Sequence, residues 1–208
     1  MSMERLYDPP LMPHLLVEGL NRFNDEPCLF LGDKVASYRE VRETTSQMVQ
    51  ALRSRGLGKG SRVAVISANR PEVLSNIAAM QLAGCVGTPL HPLGSLDDHA
   101  YVLKAAGIDA LVYDASVFDE HAAQLKARVP GLQHLLGFGP TKTGEDYLAL
   151  AAGFPPQPLV APDVLPDDVS SVNFTGGTTG KPKGVMSTHR VTAYMTQIQM
   201  AEWEFPQE

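Results

Sequence analysis

The residues best suited to chemistry in this chain lie in one glycine- and threonine-rich segment, residues 173–185, which reads NFTGGTTGKPKGV. Glycines let backbone N–H groups approach an anion closely, because they carry no Cβ. Threonine hydroxyls donate further hydrogen bonds to phosphate oxygens, and a lysine supplies a point charge. No Asp or Glu occurs between Asp168 and Glu202, although the formal net charge of the chain is −6. The segment therefore predicts a binding site for a triphosphate.

Two other phosphate-binding patterns do not fit this sequence. A Walker A loop, G-x-x-x-x-G-K-[ST], would need glycine at Thr175 and a hydroxyl-bearing residue at Pro182. Proline offers neither a hydroxyl for magnesium nor an N–H for phosphate. A dinucleotide-binding G-x-G-x-x-G pattern starting at Gly56 would need a third glycine at Ser61. A surface hairpin rich in turn residues is the structural alternative, but it explains the glycines and not the threonines with Lys183.

The segment from Phe174 to Val185 resembles the signature phosphate loop of the adenylate-forming superfamily, which includes acyl-CoA synthetases, adenylation domains of nonribosomal peptide synthetases, and luciferases. The family pattern reads roughly aromatic-T-S-G-[ST]-T-G-x-P-K-G-V, and FTGGTTGKPKGV overlays it without gaps, with Gly176 where the family often has Ser. Two weaker family motifs precede it in the expected order, SYREV at 37–41 and QLAGCVGTPLHP at 81–92. The resemblance therefore covers most of the chain.

The resemblance implies an ATP-dependent enzyme. A carboxylate would attack the α-phosphorus of ATP, giving an acyl-adenylate and pyrophosphate, and the acyl group would then pass to coenzyme A. Mg²⁺ would accompany the ATP. The residues expected to bind the phosphates are Thr175, Gly176, Gly177, Thr178, Thr179, Gly180 and Lys183. A fatty or other hydrophobic acid is the expected substrate, and an amino acid loaded onto a carrier protein is the second interpretation.

Several parts of the family's machinery cannot be placed in this sequence. Family members run to roughly two to three times its length, a multi-domain size. Their adenine-stacking segment, ribose-holding acid and C-terminal catalytic lysine have no counterpart here. We therefore expect an N-terminal part of such an enzyme, with no catalytic residue, no activity alone, and exposed apolar surface that favours self-association. Two other classes stay open, a non-catalytic nucleotide-binding or regulatory module and an interaction domain with a vestigial loop.

Composition narrows the remaining function classes. The chain has 208 residues, of which 44% are hydrophobic, enough to bury a substantial core. Its acidic balance and lack of basic clusters argue against nucleic-acid binding. Cys28 and Cys85 are too few for a disulfide framework, and no metal-ligand spacing is visible, so we expect no metal site. Neither a secretory leader nor a membrane-spanning run is apparent, and the expected location is the cytoplasm.

The loop must be positioned by the elements around it, and strand signals alternate with helix signals along the chain. Capping residues and helix-starting prolines predict helices that begin near Ser37, Pro71, Ser95 and Ser116. Apolar and β-branched runs predict strands at 62–67, 85–90, 109–113, 132–138, 169–174 and 184–188. This order predicts an α/β fold with a largely parallel sheet flanked by helices on both faces.

The predicted division has three parts: an α/β lobe at 1–152, a connector at 153–166, and a phosphate-loop unit at 167–208 that starts a second lobe. Five of the fourteen connector residues are proline, which neither a helix nor a central strand tolerates. A helix over 189–203 carries four apolar residues at helical spacing, Val191, Tyr194, Met195 and Ile198. For these, an ordinary core face is favoured over a membrane- or partner-facing stripe.

Overall fold

The computed structural model describes residues 10–175 and 181–203, and within these ranges strands alternate with helices. The helices are α1 (Met12–Arg22), α2 (Tyr38–Ser54), α3 (Pro71–Ala83), α4 (Leu96–Ala106), α5 (Ala115–Arg128), α6 (Tyr147–Ala152) and α7 (His189–Glu202). The strands are β1 (Pro27–Leu31), β2 (Lys34–Ser37), β3 (Arg62–Ile66), β4 (Val86–Pro89), β5 (Ala110–Tyr113), β6 (His134–Gly137), β7 (Glu145–Asp146), β8 (Val169–Thr175) and β9 (Lys183–Thr188).

Seven of the strands form one sheet in the order β7-β6-β5-β3-β4-β8-β9, and β1 pairs with β2 in a separate antiparallel ribbon. Neighbours in the large sheet pair in parallel, except that β8 and β9 form an antiparallel hairpin at its edge. One core cluster joins the sheet to α1, α2, α3 and α6, and a second joins it to α4 and α5. The prediction of an α/β fold with a largely parallel sheet and helices on both faces is confirmed.

The centre of the sheet shows why the apolar runs become strands. All four residues of β5 are buried, because helices cover both faces of a parallel sheet. Alternate side chains point to opposite faces. Accordingly, Val112 lies in the cluster with α2 and α3, whereas Leu111 lies in the cluster with α4 and α5.

Most helix starts follow their local signals. Ser37 and Glu40 form the predicted capping box of α2, Pro71 is the first residue of α3, and Ser95 caps α4. Ser116, near which a helix was predicted to begin, lies in the first turn of α5. The helix begins at Ala115, because the Asp114 carboxylate caps it by accepting a hydrogen bond from the Ser116 N–H at 3.1 Å.

Five elements were not predicted: α1, the two strands of the β1–β2 ribbon, β7 and α6. Helix α1 begins after Leu11, whose side chain supplies no polar cap, so it lacks the usual signal at its start. The ribbon strands are short and largely exposed, and β7 has only two residues. Such segments leave weak periodicity in a sequence.

The proline-rich segment 153–166 contains neither helix nor strand and crosses the polar side of α2. The Ser46 hydroxyl both donates to the Gln157 carbonyl and accepts from its N–H, at 2.8 Å in each case. The side chains of Gln47 and Gln50 donate to the carbonyls of Phe154 and Pro155, at 2.9 and 2.8 Å. Side chains of α2 thus form hydrogen bonds with backbone groups of this segment, which is not paired with a strand. Because β8 joins the same sheet as the earlier strands, the division of the chain into lobes stays a prediction.

Helix α7 departs from its sequence interpretation. Its buried residues are His189 and Ala193, whereas the predicted core residues Val191, Tyr194, Met195 and Ile198 are exposed. The interpretation of those four as a core face is therefore wrong within the described residues. Among all the described residues, no helix is both long enough and apolar enough to cross a bilayer.

Candidate nucleotide-binding site

The β8–β9 hairpin holds both ends of the predicted phosphate-binding segment. Its last residue pair joins Thr175 to Lys183, so two of the predicted binding residues stand opposite each other at its mouth. The Thr175 hydroxyl donates to the Lys183 carbonyl at 3.4 Å, and both side chains are exposed. The other five, Gly176, Gly177, Thr178, Thr179 and Gly180, lie outside the described residues. The strands thus present a hydroxyl and an ammonium at one end of the hairpin.

Packing beneath the mouth accounts for two further residues of the motif. Phe174 packs against the core cluster formed with α4 and α5, which anchors the end of β8. A Cβ on Gly184 would lie 3.1 Å from the Phe174 ring and from Val172 Cγ1. Such a contact is tighter than side chains ordinarily make, so glycine at this position lets β9 lie against the aromatic ring. The aromatic residue and the glycine of the motif therefore work as a pair.

A cleft of about 700 Å³ opens between this hairpin and α4. Among the described residues, its lining includes three cationic side chains, Arg62, Lys181 and Lys183, and no carboxylate. Arg62 is engaged, since its guanidinium donates to the Ala106 carbonyl at 2.7 Å. Among the described residues, neither lysine forms a salt bridge. The cleft therefore carries the positive charge of two lysines that form no salt bridge among the described residues, which suits an anionic ligand.

The base of the hairpin is fixed by contacts that link distant parts of the sequence. Lys59 Nζ lies 3.0 Å from the Asp168 carboxylate and 2.8 Å from the Asp163 carbonyl. The Leu165 N–H and Lys59 lower the pKa of Asp168, so the carboxylate stays charged. On the other side of the base, the Arg190 guanidinium donates to Asp167 at 3.0 Å. These contacts join the residues just before β8 to Lys59 on one side and to the start of α7 on the other.

His189, the first residue of α7, is almost completely buried at this base. Its backbone N–H donates to the Asp168 carbonyl at 3.0 Å. Burial lowers the pKa of the imidazole, the Asp168 carboxylate opposes that shift, and Lys59 and His14 add to it. Its Nδ1 atom has no hydrogen-bond partner among the described residues. The ring is thus neutral at neutral pH.

A second cavity, of about 320 Å³, lies on the α3 side of the sheet and differs in chemistry. Its lining combines apolar side chains of α3, such as Val73 and Ile77, with β3, β4 and β8, and it includes no charged residue. Burial raises the pKa of the Cys85 thiol at this cavity to about 12, so the thiol stays protonated. This cavity offers no counter-charge for a phosphate, which leaves the hairpin mouth as the better anion site.

Similarity to known proteins agrees with the fold and the motif. The sequence model of the AMP-binding enzyme family matches residues 16–208. The chain belongs to the AMP-binding enzyme family.

Individual relatives show how much of a family member the chain represents. It is 47% identical to the medium/long-chain-fatty-acid–CoA ligase FadD8 of Mycobacterium tuberculosis, over 99% of this chain and 37% of that protein. It is 25% identical to surfactin synthase subunit 1 of Bacillus subtilis, over 89% of this chain and 5% of that protein. The crystal structure of the anthranilate CoA ligase AuaEII with anthranoyl-AMP superposes with a TM-score of 0.80 at 22% identity, covering 91% of this chain and 37% of AuaEII. The chain thus spans well under half the length of these relatives.

Two residues near the hairpin were not identified from the sequence. Lys59 lies in a Gly-Lys-Gly turn far from the motif, and Tyr101 lies in the middle of α4, where its ring lines the cleft. Neither belongs to a motif. Their positions follow from strand order and helix packing, which local sequence signals do not specify.

Proposed function

We propose that this chain is the phosphate-binding N-terminal part of an ATP-dependent acid–CoA ligase. The enzyme converts a carboxylic acid and ATP to an acyl-adenylate and pyrophosphate, and then transfers the acyl group to coenzyme A. The observation that carries the proposal is the hairpin mouth, where Thr175 and Lys183 stand opposite each other at the two ends of the motif. The absence of carboxylates from the adjoining cleft supports it.

The chain's own residues would hold the triphosphate during the first step. Attack on the α-phosphorus spreads negative charge over the phosphates and the departing pyrophosphate, and fixed donors and cations stabilise that charge. Thr175 and Lys183 would contribute a hydroxyl and an ammonium, and Gly176–Gly180 would contribute backbone N–H groups and two further hydroxyls. The described residues contain no cluster of three or more potential metal ligands. Mg²⁺ would enter the site together with the ATP.

We favour a fatty or other hydrophobic acid as the substrate. The support is the 47% identity to FadD8, a protein named as a medium/long-chain-fatty-acid–CoA ligase, over nearly the whole chain. An amino acid activated for transfer to a carrier protein is the less favoured alternative, supported by 25% identity to surfactin synthase subunit 1. Competition between the two classes of acid for adenylation by the protein that carries this chain distinguishes them.

The test of the proposed function is pyrophosphate release by the protein that carries this chain, measured with fatty acid, ATP and Mg²⁺. Lys183→Ala is expected to slow the adenylation step by about 30- to 1,000-fold, since one preorganised group facing developing charge contributes on the order of 2–4 kcal/mol. Lys142→Ala is the matched control, because Lys142 is an exposed lysine in a loop away from the hairpin. Equal rates for Lys183→Ala and wild type would refute the assignment.

The polypeptide of residues 1–208 is expected to show no significant ligase turnover by itself. Positioning of reactants supplies about 7–11 kcal/mol in well-oriented reactions. The relatives carry further sequence beyond the matched part that is available to supply it. Conversion of ATP to AMP, measured with a panel of fatty acids and CoA at high protein concentration, tests this. Robust CoA-dependent turnover by the 208-residue chain would overturn it.

Three further properties belong to the same proposal. We propose that the protein has no nucleic-acid partner, supported by the acidic composition. We propose a cytoplasmic location as well. We also propose that the isolated chain self-associates through exposed apolar side chains of β9 and α7, among them Met186 and Tyr194.

A further inference from the structure

Lys181 is the first described residue after the glycine-rich stretch, and it contacts a residue from a distant part of the sequence. Its Nζ atom lies 5.5 Å from the centroid of the Tyr101 ring in α4. This distance is within the range at which the face of an aromatic ring attracts an ammonium group. Both residues line the cleft beside the hairpin.

Helix α4 gives Tyr101 a rigid base. Ser95 caps the helix by accepting a hydrogen bond from the Asp98 N–H, and the neighbours of Tyr101 on both sides, Ala100 and Val102, are buried. Tyr101 itself packs against the core cluster on this face of the sheet. The ring is therefore held in place whether or not Lys181 contacts it. The contact constrains the hairpin and not the helix.

On the hairpin side, the contact adds a second point of attachment. The pairing of Thr175 with Lys183 closes the end of the β8–β9 ladder. Pro182 separates that pair from Lys181, and its ring restricts the backbone between them. Fixing the Lys181 side chain on α4 therefore also fixes the direction from which the backbone enters Lys183.

A ring contact differs from an ion pair in one respect that matters for an anion site. A carboxylate partner would cancel the charge of Lys181, whereas the ring of Tyr101 attracts the ammonium while leaving its positive charge in the cleft. Among the described residues, Lys181 forms no salt bridge. The lysine can thus be anchored and still contribute to an electropositive cleft.

We propose that the Lys181–Tyr101 contact is a latch that fixes the C-terminal flank of the phosphate-binding segment on α4. Tyr101 is a positioning residue, and its role for the nucleotide rests on the proposed function. With the latch formed, Lys181 is attached to α4 as well as to the hairpin. Without it, the flank is attached only through the hairpin ladder.

Limited proteolysis of the 208-residue chain tests the latch without any nucleotide. Trypsin cuts after lysine except where proline follows, so it cuts the Lys183–Gly184 bond and spares Lys181–Pro182. Tyr101→Ala is expected to raise the rate of cutting at Lys183 by about two- to fivefold, in line with the strength of an exposed ring contact. Tyr101→Phe retains the ring face and is expected to cut at the wild-type rate. Phe30→Ala, which removes an exposed ring on β1, is the control.

Two results would overturn the latch: wild-type cutting in Tyr101→Ala, or accelerated cutting in Tyr101→Phe. Lys181→Met provides a second route that leaves the cut site and α4 intact, and it is expected to accelerate cutting as Tyr101→Ala does. The double variant is expected to equal either single variant, because both remove one contact. Additive acceleration would show that the two residues act separately and would contradict the proposal.

The role in nucleotide binding has its own readout in the protein that carries this chain. Tyr101→Ala is expected to raise the KM for ATP by about two- to fivefold with kcat unchanged, and Tyr101→Phe is expected to restore the wild-type KM. An unchanged KM in Tyr101→Ala would overturn the positioning role. Failure of the proposed function and failure of the latch can be told apart. Absence of ATP turnover in the wild type would refute the proposed function, but it would not change the proteolysis result.

Discussion

Strands β5 and β9 belong to the same sheet but have opposite surroundings. All four residues of β5 are buried, whereas four of the six residues of β9 are exposed, including Val185 at 51% and Met186 at 70%. Both strands contain apolar residues. In β5 these residues fill the core between helices on the two faces, which is what a continuous apolar run in a parallel sheet ordinarily does. In β9 they contribute little to the core that the described residues form.

The contrast extends to the helices. Helices α4 and α5 bury a shared apolar cluster against the sheet, but α7 buries only His189 and Ala193. The β5 side of the sheet is therefore stabilised by its own packing. The β9–α7 side carries the motif residues and leaves apolar side chains accessible. Segments with little burial lie at the low-stability end of a fold, which is where ligand-binding loops are commonly found. Stability and proposed function are thus concentrated on different sides of one sheet.

The largest expected effect is a loss of stability on the β5 side. Leu111→Ala removes a fully buried side chain from the cluster with α4 and α5, and it is expected to lower the free energy of unfolding by about 2–5 kcal/mol. Met186→Ala on β9 is the matched comparison, and it is expected to change the free energy of unfolding by less than about 0.5 kcal/mol. Urea denaturation of the 208-residue chain measures both. Similar losses for the two variants would show that β5 and β9 contribute equally to stability.

An intermediate effect is expected from a histidine pair that joins α4 to α5. His99 Nε2 lies 2.9 Å from the His91 carbonyl, so this nitrogen carries the proton and donates. His99 Nδ1 therefore accepts from His121 Nε2, at 2.8 Å. Burial lowers the pKa of both imidazoles, and for His99 the His91 carbonyl and Asp98 oppose the shift while His121 and His91 add to it. The pair is suited to the neutral forms of both rings.

The sign of the pH effect follows from the lowered pKa values. Because both histidines bind protons less readily in the folded state, their contribution to stability is fully present above the ordinary histidine pKa and is lost as pH falls. Protonating His99 on Nδ1 would set two N–H groups against each other and remove a hydrogen bond of about 0.5–1.5 kcal/mol. The free energy of unfolding is therefore expected to fall between pH 7.5 and pH 5.

His121→Gln is expected to make that decline shallower, since it removes one of the titrating groups and keeps an amide donor. His134→Gln, on β6 outside the pair, is the control and is expected to keep the wild-type slope. Denaturant unfolding at each pH measures the slopes. His189 also has a lowered pKa and contributes the same slope to all these proteins. A slope unchanged by His121→Gln would show that the pair does not link α4 to α5 in the expected way.

The smallest effect on stability is expected on α7, where the comparison predicts a change in association. Tyr194→Ser combined with Met195→Ser replaces two exposed apolar side chains and is expected to leave the free energy of unfolding within about 0.5 kcal/mol of wild type. Sedimentation equilibrium is expected to show weaker self-association than in the wild-type chain. Unchanged association, or a monomeric wild type, would show that this apolar face does not mediate contact between copies.

The sequence predicted those parts of the fold that depend on local signals. The capping box at Ser37, the helix-starting Pro71 and the apolar run of β5 each act over a few residues, and the structure contains the elements that they predict. The order of the strands was not readable, because it depends on pairing between residues far apart in the chain. The exposure of α7 was missed for a related reason. Periodicity identifies an apolar face but not the element that covers it.

The candidate site also has one part that local sequence signals predicted and another that depends on long-range contacts. The motif led to the prediction of Thr175 and Lys183 as phosphate-binding residues, because residue types and spacing indicate that chemistry. The attachment of the motif to its surroundings was not readable. The Lys59–Asp168 ion pair and the Lys181–Tyr101 contact each join residues that are distant in sequence. Such contacts follow only from the three-dimensional arrangement of the sheet and α4.

The most direct test of the central claim is titration of the ¹⁵N-labelled 208-residue chain with Mg–ATP, followed by the amide resonances. We expect weak binding, with the largest shifts at Thr175, Lys183 and the glycine-rich stretch between them, and little change at Gly87 in the apolar cavity beside α3. Lys183→Ala is expected to reduce these shifts at the same nucleotide concentration, and Lys142→Ala is not. Saturable shifts centred elsewhere, or no shifts at the hairpin mouth at millimolar nucleotide, would contradict the assignment of this hairpin as the phosphate site.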